Sequence, residues 1–273
     1  MMGYSVLMTV YKGDSPVYFR RSLSSMIGQT VPSDDIVVVE DGPIPESLRC
    51  VIRDFKEQGY PINTIELPQN VGLGLALNRG LAQCKHDLVA RMDADDVSLP
   101  QRCERLLAVF HTDPTLDVVG SPVLEFQGSE TSITGVRDVP KTNEDIHRFA
   151  RRRDPFNHPA VMYKKESVLR CGPYGDYRKN QDTDLWIKML SQGCRGANTE
   201  EPLLLFRFDE STLGKRKNWQ NTKSLIGIRH AAYKMGFSSF TDWLVVAAVQ
   251  LGMYALPAGF QKAVYSMLRK REV

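Results

Sequence analysis

Three aspartates, Asp93, Asp95 and Asp96, stand within four residues, directly after the run Leu88-Val89-Ala90-Arg91-Met92. Clustered carboxylates repel one another unless a cation compensates, and hard oxygen ligands suit Mg2+ or Mn2+ held together with a phosphate. A strand ending in them would place them at the mouth of a sheet, where open α/β sheets bind nucleotides. On their own they read equally as an acidic loop and helix cap before Pro100. Asp182 is the second carboxylate of interest. Leu185, Trp186 and Met189 follow it at helical offsets, so it shares their apolar face. A carboxylate at the rim of an apolar cleft suits a general base, although Asp182 and Asn180 both also read as helix caps. His158, in Phe156-Asn157-His158-Pro159, either lines the same cleft or is structural.

These groups need a scaffold, and the hydrophobic pattern supplies one. Residues 6–10, 36–39, 62–67, 88–92 and 117–126 read as strands. Between them run helical stripes, such as Phe19-Leu23-Met26-Ile27 and Leu48-Val51-Ile52-Phe55. Strand-helix alternation predicts an α/β fold, with a Rossmann-like, mostly parallel central sheet and helices on both faces. Later, residues 128–145 read as a polar loop, 160–163 as a short strand, 182–192 as a helix and 203–208 as a strand. Residues 209–217 read as a mobile loop.

Parallel strands end on one edge, so distant residues converge there. The first strand brings Thr9 and Tyr11, the second Glu40 and Asp41, and the fourth the aspartate cluster. Glu40 and Asp41 could accept from a base N–H or a ribose hydroxyl, and Tyr11 could pack on a base. Asn70-Val71-Gly72-Leu73-Gly74 opens a helix whose glycines allow close backbone approach. It is not a dinucleotide fingerprint, because Leu77 occupies the third glycine position. Lys215, Arg216 and Lys217 either close over a pyrophosphate or face solvent. Arg151-Arg152-Arg153 reads as a solvated face.

Bulk properties narrow the classes. With 35 basic and 32 acidic residues the net charge is +3, too balanced for a nucleic-acid binder. Five widely spaced cysteines without a CxxC pair argue against a disulfide framework or zinc site and fit a reducing compartment. The start lacks signal-peptide features, so a cytoplasmic location is expected. Residues 243–256 are almost continuously apolar, followed by Lys262, Arg269, Lys270 and Arg271. The run is short for a membrane span, and reads either as an interfacial segment or as helices packed on the main domain.

Taken in order over residues ~4–210, six segments resemble the family 2 glycosyltransferases, which have the GT-A fold. They are Val6-Leu7-Met8-Thr9-Val10-Tyr11, Val38-Val39-Glu40-Asp41-Gly42, Asn70-Val71-Gly72-Leu73-Gly74, Ala90-Arg91-Met92-Asp93-Ala94-Asp95-Asp96, Asn157-His158-Pro159-Ala160-Val161-Met162 and Gln181-Asp182-Thr183-Asp184-Leu185-Trp186. The resemblance is strongest to bacterial O-antigen, capsule and exopolysaccharide enzymes. It implies a GT-A domain over 1–215, with a nucleotide-binding half (1–127) and an acceptor-binding half (128–215), then a helical, apolar-basic tail over 216–273.

The family's Asp-x-Asp motif falls on Asp93-Ala94-Asp95, so Asp95 would bind Mn2+ or Mg2+ and Asp93 the ribose or the metal's surroundings. Arg91 would sit by the diphosphate or donor sugar. Thr9, Tyr11, Glu40 and Asp41 would hold the nucleoside, usually uridine, with Asn70 and Gly72 beside the nucleotide sugar. Asp182 would be the base. Gln181 replaces the family's usual glutamate and Glu40 its commoner aspartate, departures bearing on acceptor and nucleoside contacts. His158, Gln181, Trp186 and Arg216 are the acceptor or loop candidates.

The implied reaction is inverting, metal-dependent transfer of a hexose from a nucleotide sugar, expected to be UDP-linked, to a lipid-linked saccharide. Peripheral contact of the tail with the inner face of the cytoplasmic membrane would suit that acceptor. Two alternatives stand beside it: a sugar nucleotidyltransferase, disfavoured by the missing Gly-rich loop after the first strand, and a non-catalytic nucleotide-sugar-binding module at a membrane.

Overall fold

The computed structural model describes residues 3–208 and 218–256. Its central sheet begins with β1 (Tyr4–Val10), β2 (Ile36–Glu40), β3 (Ile62–Glu66) and β4 (Leu88–Met92). All five residues of β2 and of β4 are buried, as strands covered on both faces must be. Connecting helices are α1 (Pro16–Ile27), α2 (Glu46–Glu57) and α3 (Leu73–Gln83). Ser15 caps α1 by accepting from the Tyr18 amide, and Pro16 supplies a first-turn residue without an N–H.

The chain then forms β5 (Val97–Ser98), α4 (Arg102–Thr112), β6 (Val118–Gly120), β7 (Val123–Phe126), β8 (Ile133–Arg137) and α5 (Asn143–Ala150). A 3-10 turn at His158–Ala160 leads into β9 (Met162–Lys164) and α6 (Lys165–Cys171). After these come α7 (Gln181–Ser191), β10 (Gly196–Asn198) and β11 (Leu204–Arg207). The pair α8 (Trp219–Lys234) and α9 (Phe240–Ala255) completes the described chain.

The seven-stranded sheet runs β10-β6-β9-β4-β1-β2-β3, and β9 alone is antiparallel to its neighbours. A four-stranded sheet, β5-β11-β7-β8, packs beside it. Side-chain alternation assigns each face its duty. Val6, Met8, Val10, Ala90 and Met92 join a core with α1, α2 and α4. Leu7, Val37, Val39 and Val89 join a second core with α3 and α7. The α3 approach is close: a Cβ on Gly80 would collide with Leu7 and stand 2.7 Å from Val39 Cγ2.

Three expectations need correction. The polar stretch 128–145 is not a loop throughout, because it holds β8 and the start of α5. The single strand expected over 117–126 is two, β6 and β7, in different sheets. Pro122 lies at the break and lacks the N–H a continuous ladder needs. The strand expected at 160–163 starts later, because Ala160 belongs to the 3-10 turn.

Candidate active site

β1 and β4 are parallel neighbours with Met8 opposite Met92, so Thr9 of β1 stands beside the point where the chain leaves β4 at Asp93. The order 3-2-1-4 reverses direction between these strands, where α/β sheets open a ligand crevice. Asp93, Asp95 and Asp96 each offer a carboxylate oxygen, all within 4.8 Å of one another.

The cluster is braced from several sides. Arg91, fully buried, pairs with Asp93. The Arg207 amide donates to Asp96 Oδ1 at 2.8 Å, and Arg207 Nε donates to the Asp95 carbonyl at 2.9 Å. The Arg207 guanidinium is itself sandwiched, 3.7 Å from the Tyr18 ring centroid and 4.5 Å from that of Phe126. Below, the fully buried Arg102 donates to the Arg91 carbonyl and, at 3.3 Å, to that of Val161.

Negative charge in the cluster is left over. Desolvation and the neighbouring Asp93 raise the Asp95 pKa to about 6, and burial with Asp95 and Asp93 raises that of Asp96 well above its ordinary value. Burial raises Asp14 to about 7, with Asp95 and Asp93 adding to it. Asp96 Oδ2 is buried without a hydrogen-bond partner. An orphaned carboxylate oxygen in an all-oxygen cluster fits a divalent cation such as Mg2+ or Mn2+.

The strand-end residues divide by face. Glu40 points with Val38 toward α2, and its Oε2 accepts from Arg49 Nε and Nη2 at 3.1 and 3.0 Å. Asp41 faces the other way and organises the glycine loop. Its carboxylate accepts from the Val71 amide (2.7 Å), the Gly72 amide (3.1 Å) and Asn70 Nδ2 (2.8 Å). Gly72 has φ of 94°, a left-handed value that favours glycine. Asn70 Oδ1 in turn accepts from Arg178 Nη1 at 2.7 Å, tying the loop to the approach to α7. Tyr11 is 43% exposed, its ring free to meet a planar ligand.

Arg91, Asp93 and Asp182 line one cavity of about 610 Å³, together with His158 and Gln181. Asp182 sits in the first turn of α7, which enters its helix through Asn180 in a left-handed conformation. Burial raises the Asp182 pKa to about 6, and the nearby Asp154 adds to the rise. Backbone amides of Thr183 and Asp182 and the Arg91 charge oppose it. Asp154 is held by Thr183 Oγ1 and by Arg229 Nη2 from α8, each at 2.8 Å. Arg91 Nε and Nη1 are buried donors without a protein acceptor.

Other candidates occupy different ground. His158 is buried, shares a 2.9 Å hydrogen bond with Tyr174 Oη, and is kept neutral by burial and the Arg91 charge. Trp186 is only 1% exposed and packs behind His158, with ring centroids 6.0 Å apart. It is absent from the cavity wall, so direct acceptor contact gains no support from its position. Arg216 lies outside the described residues. The run 151–153 is not simply solvated: Arg152 Nε pairs with Asp242 at 2.6 Å and Arg153 lines the cavity. Sequence reasoning also missed Asp14, Asp154, Arg207 and Arg229. Asp14 was visible only as part of a helix start, and no local pattern marked the other three.

Residues 5–178 match the sequence family described as glycosyl transferase family 2. The chain belongs to that family. It is a glycosyltransferase with a GT-A-like fold. It is 33% identical over 268 residues to an Escherichia coli UDP-Gal:alpha-D-GlcNAc-diphosphoundecaprenol beta-1,3-galactosyltransferase, covering 98% of this chain and 97% of that one. It is 35% identical over 246 residues to the amylovoran biosynthesis glycosyltransferase AmsE of Erwinia amylovora, covering 89% and 91%. Among solved structures, the mannosyltransferase PcManGT from Pyrobaculum calidifontis, in complex with GDP-Man and Mn2+, superposes with a TM-score of 0.61. That match has 18% identity and covers 97% of this chain and 79% of the other. As a member of family 2 the chain uses a nucleotide sugar as donor.

Proposed function

We propose that this glycosyltransferase moves a hexose from a UDP-sugar to a saccharide carried on a lipid diphosphate, with inversion and with help from a divalent cation. The observation that carries the reading is the shared cavity, which Arg91, Asp93 and Asp182 all line. The E. coli relative's UDP-Gal donor and diphosphoundecaprenol-linked acceptor support the substrate classes. The Mn2+ complex of the mannosyltransferase supports the cation.

Asp182 accepts the proton of the acceptor hydroxyl, because an alcohol is a weak nucleophile near neutral pH. That oxygen bonds to the anomeric carbon as the bond to the diphosphate oxygen breaks, and the electron pair leaves with the nucleoside diphosphate. The transition state has oxocarbenium character, as in other glycosyl chemistry. Arg91 keeps two buried donors for the diphosphate or the donor sugar, in a site where fixed charge acts strongly. Asp93, Asp95 and Asp96 would hold the cation, which when bound neutralises charge on the leaving group. Thr9 and Tyr11 flank the nucleoside, and Asp41 acts there by shaping the Asn70–Gly72 loop.

We place the work of this enzyme at the inner face of the cytoplasmic membrane, in surface polysaccharide synthesis. No helix among the described residues is long and apolar enough to cross a membrane. Peripheral contact is supported by α9, which exposes Phe240, Leu244, Val245, Val249 and Leu251. Its other side docks through Val246 and Ala247, and Asp242 holds Arg152. Lys262, Arg269, Lys270 and Arg271 follow in sequence, outside the described residues.

The test is UDP release from a panel of UDP-hexoses with Mn2+ and a prenyl-diphosphate-linked saccharide, with the product's anomeric configuration read by NMR. Acceptor-dependent UDP release and an inverted centre are expected. Retention of configuration, or pyrophosphate release in place of UDP, would contradict the proposal.

A further inference from the structure

Resting on Asp182 as the base proposed above, we propose that Arg229 of α8 is a positioning residue for the transfer, acting on Asp182 through Asp154 and Thr183.

The link is a short chain of contacts. Arg229 is only 3% exposed, and its Nη2 donates to Asp154 Oδ1 at 2.8 Å. The other oxygen, Asp154 Oδ2, accepts from Thr183 Oγ1 at 2.8 Å, and Thr183 directly follows Asp182 in the first turn of α7. Arg229 Nη1 donates to the Ala150 carbonyl at the end of α5. The rigid guanidinium fork therefore fixes the orientation of Asp154 as well as offsetting its charge.

The same helix grips the entrance of α7. Asn180 Nδ2 donates to the Asn221 carbonyl of α8 at 3.2 Å. Asn180 has φ of 63°, a left-handed value disfavoured for a residue with a Cβ. Ile187 of α7 packs with Ile228 and Ala232, which flank Arg229 on α8. The family match spans residues 5–178, so this brace comes from a part of the chain beyond it.

Charge gives these contacts a consequence. Asp154 and Asp182 line one cavity, and two carboxylates in one site disfavour each other's ionisation. Asp154 adds to the rise of the Asp182 pKa, while the Arg229 guanidinium is favoured by both carboxylates. From β4, Arg91 favours ionised Asp182, and Tyr174 faces it from the segment before α7. Lys179, Arg153, His158, Arg137, Asp138 and Asp93 border the same cavity. Arg229 is the cation that pairs with Asp154. Without it, the Asp154 charge would act on Asp182 unopposed, and the base would be harder to ionise.

The experiment measures kcat/KM against pH for the full chain, with a UDP-hexose, Mn2+ and a prenyl-diphosphate-linked saccharide. Wild type, Arg229→Gln, Asp154→Asn and the double variant are compared. A second readout needs no turnover: NMR titration of the Asp182 carboxyl carbon, identified by its absence from Asp182→Asn. Wild type should lose activity as pH falls through about 6. Arg229→Gln should move this limb up by about one pH unit, so that activity drops several-fold at pH 6 and recovers toward pH 8. Asp154→Asn should move the limb down, and the double variant should return it toward wild type. A loss equal at every pH and unrelieved in the double variant would make Arg229 a packing residue and overturn the proposal. If Arg229→Gln does not fold, Asp154→Asn decides, since that side chain is 37% exposed. An unmoved limb with an unmoved carboxyl titration would then overturn the link. Near-full turnover by Asp182→Asn would instead overturn the base reading, with the carboxyl titration deciding whether Arg229 acts on Asp182.

Discussion

Arg207 Nε donates to the Asp95 carbonyl at 2.9 Å, so a residue of the four-stranded sheet fixes the acidic loop that leaves the seven-stranded one. Truncation to Ala removes this hydrogen bond and the stacking on Tyr18 and Phe126, while the main-chain donation to Asp96 survives. Arg207→Ala should cost roughly 2 kcal/mol of stability, from one hydrogen bond and two cation–π contacts. It should also weaken Mn2+-dependent UDP binding. Urea unfolding and a UDP titration check both; unchanged values in both would mean that the loop holds itself in place.

Asp41 accepts from two backbone amides and one side-chain amide of the Asn70–Gly72 loop. Asp41→Ala would leave those donors without an acceptor, at a cost on the order of 3 kcal/mol. Thermal unfolding should show the loss without any nucleotide present. Full stability with lost UDP affinity would instead assign Asp41 to the nucleoside alone.

Much of this arrangement could be read from the chain. β1, β2 and β4 announce themselves because strands buried on both faces are short apolar runs between helical stripes. The aspartates could be placed at their ends for the same reason. β8 was hidden because it is a half-exposed edge strand of Ile133, Thr134, Gly135, Val136 and Arg137, with only Gly135 buried. α5 buries just Ile146 and Ala150, too little for a helical stripe. The direction of Glu40 toward Arg49 depends on strand alternation within the assembled sheet. Asp154 acts on Asp182 across 28 positions, and Arg207 meets Asp95 across 112. Pairings of that kind are products of tertiary packing and leave no local signal.

The Asp182 pKa, raised to about 6, gives two linked expectations. The base must be ionised, so kcat/KM should fall as pH drops through about 6. Stability runs the other way. A carboxyl whose pKa is raised in the folded state favours folding when protonated; that advantage is complete below the unfolded value near 4 and is lost as pH rises to about 6. Asp182→Asn should therefore lower turnover by about 10²- to 10⁴-fold, the usual worth of a general base. It should also stabilise the protein at pH 8 by up to roughly 3 kcal/mol, with little change near pH 4. Paired melting curves at the two pH values check the sign, and near-full turnover in the variant would remove Asp182 from the base role.

Exposed apolar residues on α9 carry the expectation of membrane contact. Leu244 and Val249 are 50% and 54% exposed, so charges there should leave the fold intact. Leu244→Asp with Val249→Asp should reduce sedimentation with anionic vesicles several-fold, since each change removes buried apolar area and adds repulsion. Unchanged sedimentation would mean that α9 is not the contact surface.

The most direct measurement is calorimetric binding of UDP, GDP and dTDP, with and without Mn2+, to wild type and Asp95→Ala. Asp95 belongs to the carboxylate cluster and not to the apolar core, so its truncation tests the cation site. UDP should bind tightly only with Mn2+, and the variant should lose that dependence together with most of the affinity. Equal binding with and without Mn2+, or no binding of any of the three by folded protein, would contradict a metal-assisted UDP-sugar transferase.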